Sequence, residues 1–197
     1  MLERFRPFLK RILEPLAKRI NINPNIMTII SPFMAAISAI FFGTGDLFLG
    51  GVFILIAGVF DVFDGAIARY HNKTSKFGAF LDSTMDRFSD AIIIIGIIFG
   101  GYISWIIGVL AIHSAITVSY VRASAESKGI SCNVGIAERA TRLLLLAAGS
   151  FIAFFLNNSI YMNWTVILLV ILSYITVVQR IYHVWKATSY ERINLNK

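Results

Sequence analysis

The chain has 197 residues, of which 57% are hydrophobic and 15% charged, with a mean hydropathy of +0.73. That length suits one domain, and charge so far below the roughly 25% of soluble proteins excludes an ordinary soluble core in favour of an all-α integral membrane protein. The formal net charge of +7 calls for an anionic partner; nucleic acid is excluded, because the basic residues punctuate membrane-length apolar runs and form no domain of their own.

Residues 1–20, MLERFRPFLKRILEPLAKRI, place Leu2, Phe5, Leu9, Ile12, Leu13 and Leu16 at roughly helical spacing, with Arg4, Lys10, Arg11 and Lys18 between them. This predicts an amphipathic helix lying on the membrane surface, bent or broken at Pro7 and Pro15. The stretch has no uninterrupted apolar core, so it is not a cleavable signal peptide.

Residues 21–197 then form the membrane domain, with six predicted spans. They run from about Ile26 to Leu47, Phe48 to Tyr70, Phe77 to Gly100, Ile103 to Ala125, Ile136 to Phe155 and Tyr161 to Trp185. The pairs Gly50–Gly51 and Gly100–Gly101 mark turns or close helix approaches. All eighteen Lys and Arg residues fall at the termini, in the loops Tyr70–Lys76 and Glu126–Gly135, or on the adjoining span ends. The loops GTGD, GGYIS and NNSIYMNW on the other side contain none. Both termini are therefore expected on the cytoplasmic side. Trp105, Trp164 and Trp185 sit at span ends as interfacial anchors, and His113 is expected to make a polar contact between helices. The lone Cys132 excludes an internal disulfide framework.

The second and third spans carry the chemistry, in the stretch FDVFDGAIARYHNKTSKFGAFLDSTMDRFSD. At about 100° per residue, Asp61, Asp64, Gly65 and Ala68 share roughly 100° of one helix. Asp82 and Asp86, four residues apart, stack on the next helix, and Asp90 extends their stripe as a supporting polar residue. A short loop makes these helices antiparallel, so the four carboxylates converge. A charge at mid-bilayer costs about 2.5–3.5 kcal/mol, and these four also repel one another. Divalent cations relieve both costs, and an all-oxygen set without Cys or His favours Mg²⁺, Mn²⁺ or Ca²⁺ over Zn²⁺. Four carboxylates suffice for two ions about 3.5–4 Å apart, suited to displacement at phosphorus. Gly65 and Ala68 leave room for a polyphosphate beside them. The competing readings are ion pairing with Arg69 and Arg87, or a cation or proton pathway.

The spacing D-x2-D-G-x2-A-R-x8-G-x3-D-x3-D, from Asp61 to Asp86, matches at all eight fixed positions the signature of the CDP-alcohol phosphotransferase family, which the chain resembles over essentially its whole length. The resemblance implies an enzyme that moves a phosphatidyl-type group from a CDP-linked lipid onto an alcohol and releases CMP. It implies Asp61, Asp64, Asp82 and Asp86 as ligands of two Mg²⁺ or Mn²⁺ ions, and Asp86 also as general base on the acceptor hydroxyl. Asp61, Gly65, Ala68, Arg69 and Gly78 would line the CDP site, joined by Asn25 and Thr28 at the start of the first span. A homodimer and an active site at the cytoplasmic face are implied as well.

Arg122, Arg139 and Arg142 lie at predicted cytoplasmic helix ends, and Arg180 lies toward that end of the sixth span. Several arginines facing an anionic metal site suit a phosphorylated acceptor, which guanidinium groups grip bidentately, rather than a neutral alcohol. The segments VRASAE and IAERATR resemble the inositol-phosphate branch of the family. That likeness implies Arg122, Arg142 and Arg180 on the acceptor phosphate, with Glu138 and Arg139 shaping the pocket. Glycerol 3-phosphate is the alternative acceptor. The residues leave open whether the lipid tails are acyl or isoprenoid.

Overall fold

The computed structural model describes residues 24–71 and 75–195, apart from the side chains of residues 24, 25, 69 and 190–195. The amphipathic helix expected over 1–20 and the side chains of Asn25 and Arg69 lie outside the described residues. Everything regular within them is helix: α1 (Pro24–Gly43), α2 (Leu47–Tyr70), α3 (Lys76–Phe99), α4 (Trp105–Glu126), α5 (Arg139–Phe155) and α6 (Ile160–Leu195).

Four stretches are long and apolar enough to cross a membrane, namely Ile26–Gly43, Leu47–Ala68, Trp105–Glu126 and Ile160–Ser189. The other two expected spans fall short for physical reasons. Helix α3 carries Lys76, Asp82, Asp86, Arg87 and Asp90. Helix α5 has 17 residues and opens on Arg139 and Arg142. The chain is thus an all-α membrane protein in which the two helices with polar ends stand beside four plainly apolar ones.

Turn chemistry moves several predicted boundaries. The first helix stops at Gly43 rather than near Leu47, because Gly45 takes the left-handed conformation (φ 95°) and Asp46 caps the next helix, accepting from the Leu49 amide at 2.9 Å. Ser75 caps α3 by accepting from the Gly78 amide at 2.9 Å. Gly100 ends α3 and Gly101 makes the turn after it at φ 73°. Gly50 and Gly51 instead lie inside α2, where a Cβ would collide with the Phe42 ring and with Ser150. Helix α5 begins at Arg139 rather than Ile136, because Gly135 (φ 125°) breaks the approach and Thr176 Oγ1 accepts from the Ile136 and Ala137 amides at 3.1 and 2.9 Å. Helix α6 continues ten residues past the expected end at Trp185, to Leu195.

The helices pack as a closed ring in the order α1, α2, α5, α6, α4, α3 and back to α1. Contacts at one end of the ring include Gly96 on Ala39, Gly149 on Thr165 and Phe48 among Phe151, Phe154 and Phe155. Phe42, Ile54, Ile93, Ile97, Met162 and Val166 are fully buried there. Buried hydroxyls tie neighbouring helices: Ser31 to the Ala57 carbonyl (3.0 Å), Ser38 to the Gly50 carbonyl (2.8 Å) and Ser150 to the Leu47 carbonyl. Such small-residue contacts and hydroxyl bonds are how helices associate in lipid, where apolar burial gives little drive. Phe33, Ile40, Phe99 and Val178 point outward and are exposed, as a lipid-facing surface requires. His113 Nδ1 meets the Tyr174 hydroxyl at 2.9 Å, a polar link between α4 and α6.

Candidate active site

The opposite end of the ring gathers the charges. Alternating helix direction brings the C-terminal halves of α2, α4 and α6 to the same level as the N-terminal turns of α3 and α5. Asp61 on α2 and Asp82 and Asp86 on α3 each offer a carboxylate oxygen, and these atoms lie within 4.8 Å of one another. The two helices expected to converge therefore do so. Asp64 stands outside that trio, one turn along α2 from Asp61. It is buried, within hydrogen-bonding reach of Thr28, and its Oδ2 has no hydrogen-bond partner. An orphaned buried carboxylate oxygen is costly unless a cation answers it. The three clustered carboxylates offer hard oxygen donors, which fit a divalent ion such as Mg²⁺ or Mn²⁺.

Arg139 completes the cluster. Its Nη1 lies 2.6 Å from Asp61 Oδ1 and 3.0 Å from Asp86 Oδ1, and its Nε lies 3.6 Å from Asp90 Oδ1. Coulombic attraction to Asp86, Asp90 and Asp61 holds the buried guanidinium there. The resemblance placed Arg139 in the acceptor pocket; in the structure it also touches the carboxylates. Arg87, which the sequence offered with Arg69 as an ion-pair partner for the aspartates, is more remote, at 4.0 Å from Asp86 Oδ2.

Beside this cluster opens a cavity of about 350 Å³. Its lining includes Asp82 and Asp86 on one wall and Arg122, Arg139, Arg142 and Arg180 on the others, with Glu138 between. All four arginines singled out from the sequence thus face one space shared with two of the acids. Arg142 is 4% exposed; its Nη1 donates to the Ala137 carbonyl at 3.0 Å and its Nη2 lies 2.5 Å from Asp90 Oδ2. Arg180 is 3% exposed and donates to the carbonyls of Val134 (2.9 Å) and Val118 (2.5 Å), joining the α4–α5 loop to α4. Arg122 is more exposed; Glu126 Oε1 at 2.8 Å and Asn133 Oδ1 at 2.9 Å hold it. Gly65, Ala68 and Gly78 are half-buried and are not part of this lining.

The start of α5 is not arranged for helix stability. Basic groups near a helix N-terminus oppose the helix dipole by about 0.3–1 kcal/mol each, and the one acid there, the N-cap residue Glu138, makes no side-chain capping bond. Arg139 and Arg142 are tolerated because acids of α2 and α3 reach them. Sequence reasoning gave Asp90 only a general supporting role and did not foresee its pairing with Arg142, 52 positions away. The available signal was the i+4 continuation of the aspartate stripe.

The profile of the CDP-alcohol phosphatidyltransferase family matches residues 21–178. The chain is similar to an archaetidylinositol phosphate synthase of Methanothermobacter thermautotrophicus, with 44% identity over 186 residues covering 94% of this chain and 95% of that protein. It is also similar to the crystal structure of Mycobacterium tuberculosis phosphatidylinositol phosphate synthase with CDP-DAG bound, at TM-score 0.79 and 30% identity, covering 89% of this chain and 94% of that one. The same mycobacterial enzyme in complex with manganese and citrate matches at TM-score 0.77 and 29% identity, over 88% of each chain.

Proposed function

Because the chain belongs to the CDP-alcohol phosphatidyltransferase family, we propose that it transfers a diacylglycerol or archaeol phosphate group from a CDP-linked lipid to inositol phosphate, releasing CMP. The observation that carries this reading is the single cavity in which Asp82 and Asp86 face Arg122, Arg139, Arg142 and Arg180. An acid wall able to hold cations serves the donor pyrophosphate, and a guanidinium wall serves a phosphorylated acceptor.

Asp61, Asp64, Asp82 and Asp86 would hold two divalent ions, Mg²⁺ or Mn²⁺, which would supply the charge neutralisation that makes CMP a competent leaving group. Thr28, Gly65, Ala68, Arg69 and Gly78, with Asn25, border the CDP moiety. Arg122, Arg142 and Arg180 grip the acceptor phosphate and bring its polyol hydroxyl toward Asp86. Asp86 takes the proton from that hydroxyl, whose oxygen forms the new bond to the lipid-bearing phosphorus. The bond from that phosphorus to the bridging oxygen breaks, and CMP departs with the electron pair. Arg139, drawn to Asp61, Asp86 and Asp90, steadies the excess negative charge of the acid wall.

The closed ring favours six crossings, with α3 and α5 each flanked by two of the four apolar helices. The distribution of Lys and Arg puts the active site and both termini at the cytoplasmic face. Residues 21–197 form the catalytic domain, which works as a homodimer.

Incubating purified protein with CDP-lipid, Mg²⁺ or Mn²⁺ and a panel of alcohols tests the reading by CMP release. Inositol phosphate is expected to support release, with free inositol at background. Equal release with free inositol would overturn the acceptor assignment. Preference for glycerol 3-phosphate would redirect it to that acceptor.

A further inference from the structure

We propose that Asp90 is a positioning residue for the acceptor, acting through Arg142; this rests on the acceptor reading above. Asp90 belongs neither to the close carboxylate trio nor to the cavity lining. Its side chain is only 12% exposed, yet its two oxygens address different arginines: Oδ2 lies 2.5 Å from Arg142 Nη2 and Oδ1 lies 3.6 Å from Arg139 Nε.

Arg142 needs such a partner. It is 4% exposed, and among the described residues Asp90 is the only carboxylate paired with it. A buried guanidinium without a counter-ion is strongly unfavourable. Asp90 holds one edge of the group and the Ala137 carbonyl another. The remaining N–H groups are left for a ligand in the cavity that Arg142 lines. The guanidinium is thereby fixed before the acceptor arrives, which spares the ordering cost on binding. Asp90 also sits between two like charges, Arg139 and Arg142, at the start of one helix. It separates the arginine that leans on the acid cluster from the arginine that faces the acceptor.

Steady-state kinetics of Asp90→Asn, Arg142→Gln and the double variant, in the full chain with Mn²⁺, test this. Asp90→Asn is expected to raise the KM for inositol phosphate about 10- to 100-fold. The KM for CDP-lipid and the Mn²⁺ concentration for half-maximal rate should stay within about twofold. The double variant should be no worse than the more impaired single variant, because both remove one interaction. Asp90→Glu should fall between wild type and Asp90→Asn. A shift in metal dependence instead would make Asp90 a metal ligand and overturn the proposal. Multiplying single effects, or a uniform loss of kcat with unchanged KM, would also overturn it. If Asp90→Asn does not fold, Asp90→Glu decides: a several-fold rise in acceptor KM supports the proposal and a wild-type value sinks it. Should Arg142→Gln itself leave the acceptor KM unchanged, the acceptor reading fails first; an effect of Arg142→Gln without one of Asp90→Asn removes this inference alone.

Discussion

The two ends of the helix ring are built on opposite principles. At one end Phe42, Ile54, Ile93, Ile97, Met162 and Val166 are sealed from solvent, and glycines let helices approach closely. At the other, five arginines and two aspartates border one cavity, Asp64 keeps an unanswered buried oxygen, and α5 starts with charges of the wrong sign for its dipole. The apolar end satisfies local rules; the polar end breaks them and compensates largely through residues from other helices. Local inconsistency confined to one end is what a functional site in an otherwise regular fold looks like.

Substitutions at each end sharpen this contrast, because they should separate stability from chemistry. The largest effect is expected from Asp86→Asn, which removes the base and one metal-binding oxygen. CMP release should drop by about 10²–10⁴-fold, while gel filtration in detergent still shows folded protein. Next comes Asp64→Asn. The metal concentration giving half-maximal rate should rise by about 10-fold or more, measured by titrating Mn²⁺ at saturating substrates. At the apolar end, Gly96→Val drives a side chain into the Ala39 backbone. It should destabilise by about 1–3 kcal/mol, lowering the thermal midpoint, with the substrate KM values of the surviving folded protein unchanged. Smallest is Arg122→Gln: Arg122 is the most exposed of the four arginines. Its loss should raise the acceptor KM only about 2- to 5-fold, with no change in thermal midpoint, as for an exposed charge. A stability loss from Asp86→Asn, or an acceptor KM shift from Gly96→Val, would break the division between the ends.

The sequence made the acidic half of the site plain and the basic half only partly so. Asp61, Asp82 and Asp86 sit on consecutive helices joined by a short loop, so helical periodicity alone brings them together. Arg122, Arg139, Arg142 and Arg180 are spread over three helices. Their meeting depends on the ring order, in which α2 neighbours α5 and α4 neighbours α6, and periodicity within one helix carries no such information. The Asp90–Arg142 pair was hidden for the same reason. Helix boundaries shifted where a left-handed glycine or a cap decides them, as at Gly45–Asp46 and Gly135–Thr176. Helix α6 outran its predicted end because hydropathy reports where the apolar layer stops, whereas backbone hydrogen bonding continues through a polar segment.

The most direct test of the shared cavity is a crystal structure of the protein with Mn²⁺ and CDP-lipid, read by the anomalous signal of manganese. The account predicts manganese between α2 and α3, ligated by carboxylates from both helices, with the pyrophosphate beside it and the cavity bounded by Arg142 and Arg180 adjacent. Aspartates of α2 and α3 turned away from each other, with no manganese between them, would contradict it.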